Sequence, residues 1–450
     1  MFYVTLGSRE FVQDIVDRST REFVARLLSA PGAVSKPIPV VTDENGLPVN
    51  EFVDYLLDER DKSGQTLLQY ALHLARFADF LEASRGIRPL DATHNDIEAF
   101  KAHRTTGRAG SVTTNSFRPE ASALRGFFKW AKRVGKIQTV PIPQINRSGK
   151  DILSTRRTSS EKVSYANQEQ IIGLINAMSK IGARSTKGSP YRNQAAVWLA
   201  LLTGMRLQEF SMLQLYEIRQ TSERGVGVNV EIESTAKNKK RREVYIPSRA
   251  IHELEKYMRL ERPHLVASAQ ISLEQKLDEL FQITDIVDHK RLVAGTWQGV
   301  HITYPFRELP VEMRKAAVVV EASGCIEPQS LFISYGSGNA VSSSSWHEAF
   351  KRASIVASED ELNTTVSVSP HDLRHTFATN FLKSRIEGLR SQMDSSNSWN
   401  AYPAAIYRDP LIELQHILGH SSPGTTMKYL RYVEDVDLGL ETMAEEIFGA

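Results

Sequence analysis

Tyr429 stands nine residues after His420 in the stretch L-G-H-S-S-P-G-T-T-M-K-Y-L-R, residues 418–431. A phenol is a poor nucleophile at neutral pH because its pKa is about 10. If Tyr429 attacks anything, other groups must activate the electrophile. Candidates lie far away in the chain. Arg206 follows a glycine at the end of an apolar run, and Glu209 stands one turn later, placed to hold the guanidinium while its fork faces an anion. His371 and Arg374 are three apart at the start of a helical pattern, so they share a face. Lys237 sits in a basic connection between two alternating segments. Two arginines, two imidazoles, a lysine and a phenol form a coherent set for a phosphodiester. The guanidinium groups would neutralise the non-bridging oxygens of a pentacoordinate transition state. Tyr429 would attack phosphorus in line, a histidine would take or hold its proton, and the lysine would protonate the leaving 5′-oxygen. The arginines already meet the charge, so no metal is required.

Each part alone has a plainer reading. Arg206 and Glu209 make an ordinary ion pair at helical spacing, Tyr429 packs, and Lys237 is solvated. His371/His375 and His416/His420 are two H-x-x-x-H pairs, a spacing that can hold zinc on one helical face. That alternative leaves both arginines and Tyr429 idle, and Gly419 should end the second helix before His420 contributes. The plainer readings do not account for all the parts occurring together.

The elements that must position these groups are legible from periodicity. Leu411 to Leu418 reads as an apolar helix ended by Gly419. A turn follows over 421–424, and Thr425 reads as the N-cap of a helix carrying Met427, Lys428 and Tyr429. Asn193 to Leu202 is nearly all apolar and predicts a buried helix ending in Thr203-Gly204-Met205-Arg206. Asn167 caps an earlier helix. Gly227 to Ile232 and Glu243 to Pro247 alternate as strands; their connection holds Lys237, Lys239, Lys240, Arg241 and Arg242. Ile251 to Leu260, Leu273 to Val287, Ser343 to Ser354 and Pro370 to Ser384 predict helices. Gly299 to Phe306 and Leu331 to Ser334 predict short strands. Polar residues over Arg385 to Pro410 interrupt the pattern, and Leu438, Leu440, Met443 and Ile447 mark a short terminal helix.

Upstream, residues 51–145 have helical spacing, over Thr66 to Ala83, Asp96 to His103 behind Thr93, and Ser116 to Val134. Arg118, Arg125, Lys129, Lys132 and Arg133 surround the last of these and could follow a phosphate backbone. A solvated charged face is the commoner explanation. Residues 1–50 read as an arm, with an amphipathic helix over Phe11 to Leu28 and an extended Pro-rich stretch over Pro31 to Pro48. Residues 146–162 read as a basic linker, and 163–450 as the larger unit.

Composition sets outer bounds. Net charge is only +2, with 41% hydrophobic and 24% charged residues, so a polyanionic partner must be argued from local clusters. Cys325 is the only cysteine, which excludes an intrachain disulfide and a Cys-based zinc site. Met1 to Glu22 lacks the apolar core of a signal peptide, and no uncharged run approaches the ~20 residues of a membrane span. The expectation is a cytoplasmic protein with no membrane contact.

The segments T-G-M-R-L-Q-E (203–209), H-D-L-R-H-T-F-A-T (371–379) and L-G-H-S-S-P-G-T-T-M-K-Y (418–429) resemble the signature boxes of the tyrosine recombinase, or phage-integrase, family. The S-A-L-R-G-F-F-K-W-A run at 122–131 resembles its helical core-binding domain. The resemblance implies a mainly α fold with a small β-sheet (α+β). A SAM-like DNA-binding domain would occupy 51–145 and a catalytic domain 163–450, with insertions near 260–335 and 385–410. Carried over, Arg206 and Arg374 clamp the scissile phosphate, His371 and His420 assist, and Tyr429 becomes joined to the 3′-phosphate, releasing a 5′-hydroxyl. Glu209 and His375 match supporting positions. The hairpin lysine is Lys237 or Lys239. Lys240, Arg241 and Arg242 join the basic helix residues as DNA contacts. The implied enzyme is a site-specific recombinase needing no metal, ATP or other cofactor. It works in the bacterial cytoplasm on double-stranded DNA, as a homo-tetramer closing on two sites. Whether the free protein is a monomer, and whether accessory DNA-bending or directionality proteins take part, stays open. The terminal helix would dock on a neighbouring protomer. A type IB topoisomerase-like relaxing enzyme and a catalytically idle DNA-binding regulator remain as alternatives.

Overall fold

The computed structural model describes residues 2–7, 38–106, 111–145, 150–155, 164–183, 188–218, 227–236, 239–360, 366–395 and 409–430. The chain divides into two compact units, Met1–Glu161 and Lys162–Ala450.

In the first unit, β1 (Tyr3–Gly7) pairs antiparallel with β2 (Ile38–Thr42). Four helices follow: α1 (Asn50–Asp58), α2 (Gly64–Arg85), α3 (His94–Thr106) and α4 (Thr114–Arg133). Ser63 caps α2 by accepting from the Thr66 N–H at 3.2 Å, and Gly86 ends it at φ 62°, a conformation that spares glycine the Cβ clash. The inward positions of α4 are Phe117, Ala121, Leu124, Phe127, Phe128 and Ala131, recurring at helical spacing. They meet Phe52 and Phe77, and the Phe52–Phe127 rings stand edge to face at 5.0 Å.

Three expectations change here. Residues 38–42 form a strand packed on α1 and α2, not a free extended arm. The stretch expected as a linker contributes Ile152 and Leu153 to this core, and its Asp151 carboxylate takes both ends of the Arg125 guanidinium at 2.6 and 2.7 Å. The helix expected from Ser116 starts two residues earlier, at Thr114, capped by Thr113, which accepts from the Ser116 N–H. The helix expected over Phe11 to Leu28 lies outside the described residues.

The second unit is built on α5 (Gln168–Ala183) and α6 (Pro190–Thr203), with short α7 (Leu207–Ser211) and α8 (Leu215–Ile218) after them. α6 is the buried helix that its sequence predicts, with Ala195, Ala196, Val197, Leu199 and Ala200 fully covered. It packs against α5, α9 (Ser248–Leu260) and the long helix over Pro370–Ser395. β3 (Val228–Ile232) and β4 (Arg242–Ile246) pair antiparallel, with Val228 opposite Ile246 and alternate residues buried.

After α10 (Arg262–Glu274) the structure departs from expectation. A helix across Leu273 to Val287 is not present; residues 281–287 form strand β5. Their β-branched run, I-T-D-I-V, pairs with antiparallel β6 (Leu292–Trp297), while Phe281 and Gln282 at the start of the strand pair with parallel β8 (Ala317–Val320). With β7 (Val300–Pro305) and β9 (Ile326–Pro328) they make a five-stranded sheet in the order β7-β6-β5-β8-β9. α11 (Val311–Ala316) precedes β8. Phe281, Ile283, Val293, Phe306, Leu309 and Met313 form this sheet's own core, closed by Tyr216 from α8. Leu331 to Ser334 is not a full strand; Ile333 makes one bridge to Ala340.

α12 (Ser343–Asp360) packs on α5. α13 (Pro370–Ser395) runs past Arg385, so the expected interruption does not begin there; residues 396–408 lie outside the described residues. α14 (Pro410–Leu418) and α15 (Pro423–Met427) close the described chain. The terminal helix expected around Leu438 also lies outside it. No described helix is long and apolar enough to cross a membrane.

Candidate active site

The site forms where the ends of α6, α7, α13, α14 and β4 meet. α6 stops at Gly204, φ 62°, and a Cβ there would fall 2.4 Å from the Phe377 ring. Only a glycine lets α13 approach this closely. Two residues on, Arg206 caps α7. Its N–H donates to Glu209 Oε2 at 2.7 Å, and its Nη1 donates to Oε1 at 3.0 Å.

Glu209 is 1% exposed, and a lone buried carboxylate is costly. A second arginine completes its environment. Arg242, the first residue of β4, donates to Glu209 through Nη1 at 2.8 Å and Nη2 at 2.5 Å, and its Nε donates to the Ile417 carbonyl at 3.0 Å. Burial works to raise the Glu209 pKa, but the hydrogen bonds and charges of Arg242 and Arg206 hold it below the usual carboxylate range.

Arg374 projects from the first turns of α13, which Asp372 and Ser369 secure by mutual capping bonds. Its Nη1 donates to the Gly204 carbonyl and its Nη2 to the Leu418 carbonyl, each at 2.6 Å. These carbonyls end α6 and α14, where helices leave acceptors unpaired and carry partial negative charge. One guanidinium thus joins two helix ends. Burial, with Arg206 nearby, pulls the Arg374 pKa down to about 9.

The phenol arrives last. Gly419 terminates α14 at φ 64°, and its missing Cβ leaves room for the Arg242 side chain. Ser422, not Thr425, occupies the N-cap position of α15, because Pro423 takes the first helical position, where a missing N–H costs nothing. Tyr429 lies just beyond that helix, 1% exposed, with its hydroxyl 2.7 Å from His375 Nδ1. The His420 ring lies parallel to it at 6.3 Å, and His420 Nδ1 is bonded instead to the Thr426 hydroxyl at 2.9 Å. The His371 and His375 rings are 4.2 Å apart. Burial pushes Tyr429 up to about 12, partly offset by Arg374 and Arg206. Burial pulls His375 and His420 down to about 3, reinforced for His375 by His371 and for His420 by Arg374. Both imidazoles are therefore neutral at pH 7, and the phenol keeps its proton.

Arg206, Glu209, His371, Arg374, His375, His420 and Tyr429 come together as a cluster. Lys237 lies outside the described residues. Lys239 is exposed, with φ 51°. Several expected DNA contacts are placed otherwise. Arg242 is buried in the cluster. Its inward register beside Val244 and Ile246 was the available signal, an arginine where alternation calls for an apolar residue. The Lys240 ammonium donates to the His420 carbonyl at 3.1 Å, and Arg241 pairs with Glu231. In the first unit Arg125 is held by Asp151 and Arg133 by Asp58, while Arg118 is half-buried and Lys129 and Lys132 are exposed. Of the second histidine pair, His416 is exposed and His420 buried, since α14 ends between them.

The family model described as "Phage integrase family" matches residues 165–390, half of the chain, and "Phage integrase, N-terminal SAM-like domain" matches residues 49–135. The first match stops before His420 and Tyr429. The chain is 26% identical over 226 residues to tyrosine recombinase XerC of Roseiflexus castenholzii, covering 50% of this chain and 65% of that protein. Over 391 residues it is 23% identical to tyrosine recombinase XerC of Oceanobacillus iheyensis, covering 86% and 92%. A solved Tn1549 transposon integrase in complex with transposon right end DNA is 12% identical, with a TM-score of 0.48, covering 84% of this chain and 93% of that one.

Proposed function

Because this chain belongs to the phage integrase family of tyrosine recombinases, we propose that it is a site-specific DNA recombinase whose nucleophile is Tyr429. The observation that carries this reading is the convergence of Arg206, Arg374, His420 and Tyr429, from three separate segments, around one buried carboxylate and two helix ends.

In this reading Arg206 and Arg374 bind the scissile phosphate and neutralise the charge that grows on its non-bridging oxygens. The Tyr429 oxygen attacks phosphorus in line as the bond from phosphorus to the 5′-oxygen breaks. The entering phosphodiester anion raises the pKa of His375, which stands 2.7 Å from the phenol and accepts its proton as the oxygen bonds to phosphorus. His371 and His420 donate hydrogen bonds to the phosphate. The leaving 5′-oxygen takes a proton from the hairpin lysine, Lys237 or Lys239. The product is a 3′-phosphotyrosine and a free 5′-hydroxyl. Attack by a 5′-hydroxyl of a second duplex reverses the step, and the phosphotyrosine conserves the bond energy, so neither ATP nor a metal is needed.

The phenol is covered and hydrogen-bonded, so the segment carrying it must shift before it meets a phosphate. Exposed Lys129 and Lys132 of α4 are the remaining candidates on that helix for backbone contacts. The working form is a homo-tetramer on two DNA sites.

The test is covalent capture. Full-length protein is incubated with nicked duplexes of randomised sequence, and protein–DNA adducts that survive denaturation are recovered and sequenced. An adduct at Tyr429 that Tyr429→Phe abolishes supports the proposal. An adduct on another residue sinks it. Pairs of the recovered duplexes then report strand exchange.

A further inference from the structure

Thr426 ties the His420 ring to the backbone of Tyr429. Its hydroxyl stands 2.9 Å from His420 Nδ1, and its carbonyl accepts from the Tyr429 N–H at 3.0 Å. Both Thr426 and His420 are buried. Buried threonines on other helices give the hydroxyl proton to the carbonyl four residues back. Thr203 donates to Leu199 at 2.6 Å, and Thr376 to Asp372 at 2.9 Å. Thr426 makes no such bond among the described residues, and His420 Nδ1 is the acceptor within its reach.

One assignment of protons satisfies both groups. A neutral imidazole carries a proton on one nitrogen only, and His420 is neutral at pH 7. Were that proton on Nδ1, the ring would donate to Thr426, and the buried hydroxyl proton would have no acceptor, an unmade hydrogen bond in a covered place. With the threonine donating, Nδ1 accepts and the ring proton sits on Nε2. We infer that Thr426 is a positioning residue for His420: its hydroxyl selects the tautomer and holds the ring so that Nε2–H is available to the scissile phosphate.

The inference deepens the DNA-cleavage reading above and rests on it. In that reading His420 donates to a non-bridging oxygen, and no described residue pairs with its Nε2. The opposite tautomer would aim a lone pair at that oxygen while negative charge grows on it. Because Thr426 also holds the Tyr429 N–H, imidazole and nucleophile are set against each other within residues 420–429. They travel together when the segment shifts to meet a phosphate.

The experiment has a spectroscopic arm without DNA and a kinetic arm. Full-length protein carrying isotope-labelled histidine ring nitrogens is compared with Thr426→Val, which keeps the shape but loses the hydroxyl, and with Thr426→Ser, which keeps the hydroxyl. His420→Leu identifies the His420 signals. Correlations between ring protons and ring nitrogens should place the proton on Nε2 in the unmodified protein and in Thr426→Ser, and show both tautomers in Thr426→Val. Single-turnover adduct formation on a duplex recovered by covalent capture should slow about tenfold in Thr426→Val, less than the ~100-fold of losing such a donor outright, and stay close to the unmodified rate in Thr426→Ser. In a His420→Leu background Thr426→Val should slow it no further. A proton on Nδ1 in the unmodified protein overturns the inference, whether or not the valine variant folds. So do His420 signals unchanged in Thr426→Val, or equal slowing in both backgrounds. An adduct that persists in Tyr429→Phe overturns the cleavage reading instead and leaves the tautomer measurement standing.

Discussion

The Tyr429 hydroxyl lies 2.7 Å from His375 Nδ1, and both side chains are buried. The histidine nearest the phenol is therefore the one directly after Arg374, not His371 or His420. A neutral imidazole with its proton on Nε2 accepts from the phenol at Nδ1. The same bond is a proton path in the proposed reaction and a restraint that keeps the phenol indoors.

Breaking this pair has two separable effects. Tyr429→Phe should abolish the covalent adduct and leave Nδ1 unpaired, costing about 1–3 kcal/mol of stability. His375→Phe should cost a similar amount, yet retain adduct formation at a reduced rate. Thermal unfolding and adduct yield, measured on both variants, check this. Adduct formation at the wild-type rate in His375→Phe would show that the histidine is not the acceptor.

The pH dependence of stability should have two limbs. His375 and His420 fall to about 3 in the fold, against about 6.5 unfolded. Below pH ~6.5 the unfolded chain binds protons that the fold refuses, so stability declines as pH falls toward 3. Tyr429 is raised to about 12, so between its unfolded value of about 10 and pH 12 the fold keeps a proton that the unfolded chain releases. Stability declines there as pH rises. Denaturant melts across pH should show a shallower acid limb in a His375→Gln, His420→Gln double variant, and a shallower alkaline limb in Tyr429→Phe; His73 and His371, and buried Tyr55, Tyr216 and Tyr257, are shifted in the same directions and sustain the remainder of each.

Arg242 should prove as sensitive as Arg206 and Arg374. Removing it strips Glu209 of two hydrogen bonds and frees the Ile417 carbonyl. Breaking one side of a buried pair costs about 3–5 kcal/mol. Arg242→Ala should unfold at markedly lower denaturant, and Arg242→Lys should not restore it, since an ammonium cannot replace the fork. A midpoint near wild type for either variant would contradict the buried geometry.

Gly204→Ala tests the close approach of α6 and α13. A left-handed residue other than glycine costs roughly 1–2 kcal/mol, and the new Cβ would also overlap the Phe377 ring. In a Phe377→Ala background only the backbone cost remains. The two substitutions should be less than additive in thermal unfolding; strict additivity would mean the ring does not abut the glycine.

The sequence alone located most members of the cluster and most of their supports. The boxes around Arg206, Arg374 and Tyr429, the buried α6, the alternating hairpin and Gly419 at the end of α14 are all encoded within a few residues, so spacing exposes them. The tertiary structure decided which groups serve each other. Arg374 meets a carbonyl 170 positions away, and Tyr429 meets an imidazole 54 positions away. Nothing local ranks His375 above His420 as that partner, because hydrogen-bond choice follows from how helices abut. Arg242 reads as one more basic residue until Glu209 is found buried against it. The strand at 281–287 was hidden for the same reason: a short apolar run becomes strand or helix according to its neighbours, and only folding brought β6 and β8 beside it.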